Sequence, residues 1–302
     1  MSVAFVFPGQ GSQYVGMGKD FYEQNPRARE LFQRADDVLG FSLSKICFEG
    51  PEEELRQTKN TQPAIFLHSV IAAVLYEGTP ASMAAGHSLG EYSALVYAKA
   101  LTFEDGLRLV RLRGELMHKA GMEWKGTMAA VLGLSPESVN TICENASEAG
   151  VVQVANFNSP GQIVISGSVG GVRKAMELAK LAGAKLAKEL PVSGAFHSPL
   201  MESAQEGLKR GLASATIVDA SIPVYSNVTA RPVQRAGRIR EMLYQQLTHP
   251  VRWEETIINM SADGATTFVE LGPGKVLQGL IKRIRAGANV LGVEKTADLI
   301  QS

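Results

Sequence analysis

Ala81-Ser82-Met83-Ala84-Ala85-Gly86-His87-Ser88-Leu89-Gly90-Glu91-Tyr92-Ser93-Ala94-Leu95-Val96-Tyr97-Ala98 is the stretch on which the fold turns. Its first six residues are small and apolar enough for a buried strand, Gly86 to Gly90 form a G-x-S-x-G core, and Glu91 to Ala98 continue as a helix. In a nucleophile elbow a strand turns abruptly into a helix. The flanking glycines permit the crowded backbone, and the serine hydroxyl stands exposed at the helix N-terminus. In a chain with 30 glycines the five residues alone also fit a Gly-rich turn with a capping serine, so the flanking strand and helix carry the reading.

Outward from the elbow, strands and helices alternate. Val3 to Phe7 is an apolar run broken by Pro8-Gly9-Gln10-Gly11, a buried strand ending in a tight loop. Ala64 to Tyr76 has helical apolar periodicity. Thr102 stands at capping-box spacing from Asp105 and opens a helix whose apolar face runs through Leu107, Val110, Leu116 and Met117 to a stop at Gly121. From Thr127 the pattern becomes strand (128–134), helix (136–147), strand (151–157), strand (162–166), helix (172–181), strand (185–192). That β-α-β-β-α-β order is the ferredoxin-like split unit, compact enough to be inserted in a larger domain. A helix opened by Pro199 follows, then a strand at 222–225, helices at 239–247 and 253–260, a strand at 266–271, and a final helix and strand. Alternation of this kind implies a parallel sheet covered on both faces. The expected fold is α/β: an α/β-hydrolase-like parallel-sheet domain of residues 1–125 plus 194–302, with residues 126–193 as an inserted ferredoxin-like domain.

The 302 residues, 45% hydrophobic and 20% charged, supply apolar material for one large core with a smaller companion. Thirty Lys and Arg balance thirty Asp and Glu, so no net field argues for nucleic acid or an anionic membrane. The first seven residues lack a basic segment and cleavage site, and the longest apolar stretch, Ala64 to Tyr76, contains His68 and is too short for a bilayer. Cys47 and Cys143 have no metal-spaced companions, so neither a disulfide framework nor a zinc site is expected. These features fit a cytoplasmic protein without a membrane segment, a metal or a bound cofactor, and a monomer is expected.

A serine nucleophile needs a base, and the histidines are His68, His87, His118, His197 and His249. His68 lies in an apolar helical pattern, His118 near a helix end, and His249 before Pro250 in a loop. His87 is adjacent to Ser88, where neighbouring side chains diverge. His197 lies between a strand and a Pro-started helix, where an imidazole can be held rigidly yet remain accessible, and is the best candidate. No Asp or Glu near it in sequence identifies itself as a third member, so a backbone carbonyl could orient the ring. Arg113 lies three or four positions from Leu109, Val110, Leu116 and Met117, on the apolar stripe of its helix. A buried guanidinium needs an anion: either an internal Asp or Glu, or a substrate carboxylate held bidentately. The second alternative narrows the substrate to a dicarboxylic half-thioester. Acyl transfer also needs two N–H donors for its oxyanion, for which Leu89, after the nucleophile, and Gln10, in the first loop, are suited. The first loop is no dinucleotide motif, because Tyr14 stands where a third glycine is required, and Gly272-Pro273-Gly274-Lys275 lacks P-loop spacing.

The residues Phe7-Pro8-Gly9-Gln10-Gly11-Ser12-Gln13, Thr61-Gln62-Pro63-Ala64, Gly86 to Ala94, Asn156 to Gln162, Gly194-Ala195-Phe196-His197-Ser198 and Glu270 to Lys275 resemble the malonyl-CoA:acyl-carrier-protein transacylases, including the free-standing acyltransferases of polyketide synthesis. The resemblance covers nearly the whole chain. It implies Ser88 as nucleophile, His197 as general base and acid, Arg113 as clamp on the malonyl carboxylate, and Gln10 with Leu89 as oxyanion hole. It also implies that the backbone carbonyl of Gln246 orients the histidine, and that Phe196 favours malonyl over methylmalonyl by filling the space of an α-methyl group. The segment from Tyr76 to Ala85 is shorter than the family pattern leads one to expect. The implied partners are malonyl-CoA and a phosphopantetheinylated acyl carrier protein, with coenzyme A as part of the substrate. Lys275, Lys282, Arg283 and Arg285 form a basic end that either meets an acidic carrier or is a solvated helix face. Two other functions compete: an acyl hydrolase that clears carrier proteins, against which an inward Arg113 argues, and a non-catalytic carrier-docking module, against which Ser88, His197 and Arg113 together argue.

Overall fold

The computed structural model describes residues 2–192 and 194–299. The boundary residue Ser193 of the expected inserted domain lies outside them. In chain order the strands are β1 (Ser2–Phe7), β2 (Met83–Gly86), β3 (Gly126–Leu132), β4 (Val152–Ser159), β5 (Gln162–Ser168), β6 (Leu186–Glu189), β7 (Val224–Tyr225), β8 (Pro232–Val233), β9 (Ala265–Leu271) and β10 (Asn289–Val293). One sheet has the order β10-β9-β1-β2-β7-β8, parallel except for the antiparallel edge strand β8. The other, β4-β5-β3-β6, is antiparallel, and its order around the Pro136–Ala146 and Val169–Leu181 helices is that of the ferredoxin-like unit.

Period-2 alternation in β1 places Val3, Phe5 and Phe7 in one core and Ala4 and Val6 in another. The first core packs against the Thr58–Leu75 and Phe103–Glu123 helices, the second against the Trp253–Ala262 and Val276–Ile284 helices. The sheet is therefore covered on both faces, as the alternation predicts. A third core, including Ala129, Val131, Ile142, Ile163, Ile165 and Val172, belongs to the small sheet.

Register decides where the loops meet. Phe7 of β1 lies opposite Gly86 of β2, and Val6 opposite Glu270 of β9, so the loops after these strands emerge at one carboxyl edge. The turn there admits only glycine at two places. A Cβ on Gly86 would lie 1.8 Å from the carbonyl carbon of Gly90, and one on Gly90 would lie 2.2 Å from the Phe7 carbonyl oxygen. Thr102 caps its helix by accepting from the Asp105 N–H at 3.1 Å, but the helix runs past Gly121 to Glu123, because that glycine keeps a helical conformation. The Thr58–Leu75 helix begins six residues before the expected Ala64 and contains Pro63. Proline leaves the Lys59 carbonyl without its helical donor, and Arg111 Nη1 fills that place at 3.0 Å. Strand β6 is shorter than the expected 185–192: Leu190 still donates to the Met128 carbonyl at 2.8 Å, and Pro191, lacking an N–H, ends the ladder. The short segment before the elbow packs well, with the Ala81 N–H donating to the Tyr97 hydroxyl at 3.0 Å and the Tyr76 ring edge-on to Phe5. Four helices, Lys19–Gln24, Pro26–Leu39, Leu43–Glu49 and Glu52–Leu55, occupy a region to which the sequence reading assigned no element.

Among the described residues no helix is long and apolar enough to cross a membrane. The small sheet is tied to the large unit through Val251, whose N–H donates to the Ala155 carbonyl at 2.8 Å and whose carbonyl accepts from the Phe157 N–H at 2.9 Å.

Candidate active site

Ser88 follows β2 with φ 52°, the left-handed conformation that an elbow imposes and that non-glycine residues seldom adopt. His197, on the loop before the Pro199–Met201 turn, has φ 56°. The structure brings these two strained residues together, Ser88 Oγ lying 2.8 Å from His197 Nε2. His197 Nδ1 faces two carbonyl oxygens, Gln246 at 2.9 Å and His249 at 3.2 Å. Carbonyls only accept, so Nδ1 carries the proton and Nε2 is free to accept from the Ser88 hydroxyl. Burial, aided by the Arg113 guanidinium, pushes the imidazole down to about 3, so the ring is neutral in the free protein. The loop is pinned from both units. Gln153 Nε2, on β4, donates to the His197 carbonyl at 2.8 Å and to the Thr248 carbonyl at 3.0 Å, and Ser198 Oγ donates to the Ala195 carbonyl at 2.6 Å.

Arg113 points inward, as its place on the apolar stripe predicts, and is only 1% exposed. Nη1 donates to Gln62 Oε1 at 2.7 Å, and Nη2 donates to Gln246 Oε1 at 2.9 Å and to Ser88 Oγ at 3.0 Å. Among the described residues no carboxylate forms a direct ion pair with it; the buried Glu91 carboxyl acts on it at longer range, across the Gln246 amide. Its Nε has no partner at all. A buried cation beside Ser88, hydrogen-bonded to neutral amides and a hydroxyl and lying over the Tyr92 ring, is suited to receive an anion.

A cavity of about 220 Å³ opens onto Ser88, His197 and Arg113, and Gln10, Leu89 and Phe196 line it too. Gln10 Nε2 donates to Thr58 Oγ1 at 3.2 Å, fixing the first loop against the Thr58–Leu75 helix. Phe196 is buried beside the histidine. His87 turns away from Ser88: its Nε2 lies 2.8 Å from Asn158 Oδ1, and its ring is edge-on to Trp253. Of the other histidines, His68 is buried and pushed down to about 4 by burial, and His249 is exposed. Among the described residues no cluster of three His, Cys, Asp or Glu side chains could hold a metal ion.

With this geometry in hand, the model of the family described as acyl transferase domain matches residues 4–296. The chain belongs to that acyl transferase family. It is similar to the malonyl CoA-acyl carrier protein transacylase of Bacillus subtilis, 49% identical over 294 residues that cover 96% of this chain and 93% of that one. The polyketide biosynthesis protein ThaF of Burkholderia thailandensis is 44% identical over 293 residues, 95% of this chain but 25% of that longer protein. Among solved structures, a malonyl CoA-acyl carrier protein transacylase from Coxiella burnetii superposes with a TM-score of 0.96 at 42% identity, covering 100% of this chain and 96% of that one. A malonyl-transacylase solved in complex with a type II polyketide acyl-carrier protein gives a TM-score of 0.97 at 42% identity, covering 100% and 98%.

Gln10, Ser88, Leu89, Arg113, Phe196 and His197 of this acyl transferase line the cavity and Gln246 lies directly behind it, whereas Lys275, Lys282, Arg283 and Arg285 are exposed and outside its lining. Three residues that hold these groups have no role in the sequence reading: Gln62 on Arg113, Asn227 on the Ser88 N–H and Glu91 on the Gln246 side chain. Gln62 was quoted in a motif but given no task, and Glu91 and Asn227 were not considered as site residues. Glu91 did carry a signal: it is a carboxylate in the Gly90–Tyr97 helix, which is otherwise apolar or small around its buried turns. Asn227 carried none, since an asparagine after a strand is ordinary turn chemistry.

Proposed function

We propose that this acyl transferase moves a malonyl group from coenzyme A to the phosphopantetheine thiol of an acyl carrier protein through an ester on Ser88. The observation that carries the reading is Ser88 Oγ held between His197 Nε2 and Arg113 Nη2, a nucleophile with its base on one side and a buried cation without a direct ion pair on the other. The names of the relatives supply malonyl and acyl carrier protein independently.

In the first half-reaction Ser88 attacks the thioester carbonyl while its proton passes to His197 Nε2. The oxyanion is received by the N–H groups of Gln10 and Leu89, and collapse expels the coenzyme A thiolate, which takes the proton back from His197. In the second, the carrier thiol gives its proton to His197 and attacks the ester, and the departing Ser88 oxygen recovers that proton. The malonyl carboxylate supplies the anion that Arg113 lacks. By neutralising the guanidinium it also removes the larger of the two charge effects that, after burial, depress His197, so binding of the charged acyl group makes the base stronger. Phe196 crowds the space of an α-substituent, and coenzyme A enters as substrate rather than as a cofactor. The division into residues 1–125 with 194–302 and an inserted 126–193 belongs to the same reading, supported by the separate core of the small sheet.

Incubation with malonyl-CoA alone, followed by intact-mass measurement and peptide mapping, should find one malonyl adduct on Ser88, absent from Ser88→Ala. Rapid malonate release without an adduct would favour the hydrolase. No reaction of either kind would point to the docking module or to a different acyl donor.

A further inference from the structure

Behind the cavity lies a closed set of buried hydrogen bonds that the reaction as written does not use. Where β2 leaves the sheet at the elbow its backbone loses its partner in β7, since the paired register ends at Ala85 opposite Tyr225. The side chain of Asn227, two residues past β7, takes over. Its Oδ1 accepts from the Ser88 N–H at 2.7 Å, and its Nδ2 donates to the Gly86 carbonyl at 2.6 Å, so an amide side chain continues the ladder across His87. The Ser88 carbonyl, in the next peptide group, is held by Gln246, whose Nε2 donates to it at 3.0 Å. Both residues converge on one carboxylate oxygen: Glu91 Oε2 accepts from the Asn227 N–H at 3.0 Å and from Gln246 Nε2 at 2.8 Å. Gln246 in turn accepts from Arg113 Nη2 with its side chain and from His197 Nδ1 with its backbone.

We propose that Glu91 and Asn227 are positioning residues for the transfer reaction. The Glu91 oxygen joins the two amides that grip the Ser88 N–H and carbonyl, and through Gln246 it sets nucleophile, base and clamp in one frame. Glu91 and Asn227 are 3% and 0% exposed and do not line the cavity, so neither touches substrate. Ser88 needs such a frame because its left-handed backbone is not a conformation that serine holds unaided. This inference rests on the reading of Ser88 as the acylated residue.

The test follows malonyl-enzyme formation by quenched flow and intact mass, with rates expressed per titrated site, in wild type, Asn227→Leu, Glu91→Ala and Glu91→Gln. The expected result is a fall on the order of 100-fold in the acylation rate constant for Asn227→Leu and Glu91→Ala, since small misplacements of reacting groups have effects of that size. The half-saturating malonyl-CoA concentration should stay within about 3-fold of wild type, as the loss falls on the chemical step. Glu91→Gln, which keeps an acceptor oxygen, should remain within about 5-fold of wild type if acceptance of the two N–H groups is what matters. Wild-type rates per site in either strongly truncated variant, or a Glu91→Gln as slow as Glu91→Ala, overturn the proposal. Should Asn227→Leu not accumulate as folded protein, the Glu91 pair decides the matter. Absence of any Ser88 adduct in wild type would instead overturn the function proposed above.

Discussion

Ser88 Oγ has a neutral acceptor 2.8 Å away and a cationic donor 3.0 Å away, and the contrast between the two governs its pH behaviour. Burial first, then Arg113, holds the His197 imidazole far below its ordinary range, with a smaller push from His87. Replacement of Arg113 by Ala removes one of those effects, so the His197 value rises. The acidic limb of kcat/KM for acetyl-CoA, which reports the free enzyme, should accordingly move to higher pH in Arg113→Ala. Loss of the carboxylate grip should lower kcat/KM for malonyl-CoA by about 100-fold or more, from two charge-assisted hydrogen bonds worth ~3 kcal/mol together. Acetyl transfer should fall by less than about 10-fold, and equal losses would mark the arginine as purely structural. Glu91 titrates in the opposite sense. Burial pushes its carboxyl up to about 7, above the unfolded value of about 4.3, so the protonated form is favoured on folding. Its contribution to stability is therefore present below the unfolded value and is lost as pH rises through the folded one. Glu91→Gln does not titrate, and its Tm should gain on that of wild type between about pH 5 and pH 8, a comparison for differential scanning calorimetry.

At the scale of elements, the elbow is a place where three backbone segments meet at closer range than side chains allow. Gly90→Ala would drive a Cβ to 2.2 Å from the Phe7 carbonyl oxygen, a backbone atom that cannot rotate away. The expected loss is about 3 kcal/mol or more, since overpacking against fixed atoms has that scale. Gly279 offers the contrast, being inside the Val276–Ile284 helix with nothing within 4 Å of an added Cβ. Gly279→Ala should stabilise by about 0.5–1 kcal/mol through helix propensity. Urea denaturation of both variants measures the pair. The elbow motif already sets Gly90 apart in the sequence, and the packing of β1 against the elbow gives the size of the difference. The Pro26–Leu39 helix is a different case, legible in the sequence although the reading assigns it no element: Asn25 accepts from the Arg27 N–H at 2.9 Å, Pro26 stands at the first turn, Ala28, Leu31, Phe32 and Ala35 recur at helical spacing, and Gly40 closes the helix.

Across the whole molecule, the histidine loop is held by groups from both sheets. Gln153 projects from the small sheet and donates to the carbonyls of His197 and Thr248, while Gln246 and His249 hold the imidazole from the large unit. The small sheet therefore helps to place the base, although it supplies neither nucleophile nor clamp. Gln153→Leu should lower kcat by about 10-fold with KM within about 3-fold, because an unanchored loop leaves the base misplaced for part of the time. Steady-state kinetics with saturating carrier protein would measure this. An unchanged kcat would show that the carbonyls of Gln246 and His249 suffice.

The sequence by itself determined the layered α/β plan, the ferredoxin-like insertion and the trio of Ser88, His197 and Arg113. Each of these rests on a local signal: alternation of elements, a glycine-flanked turn, a histidine between a strand and a proline, an arginine on an apolar stripe. The tertiary structure decided that Arg113 has no direct ion pair, that Gln62 and Gln246 hold it instead, and that Glu91 and Asn227 join the hydrogen bonds behind Ser88. The physical reason is separation along the chain. Asn227 meets Ser88 across 139 positions and Gln246 meets Glu91 across 155, and a hydrogen bond between distant polar side chains leaves neither a period nor a spacing for a sequence to display.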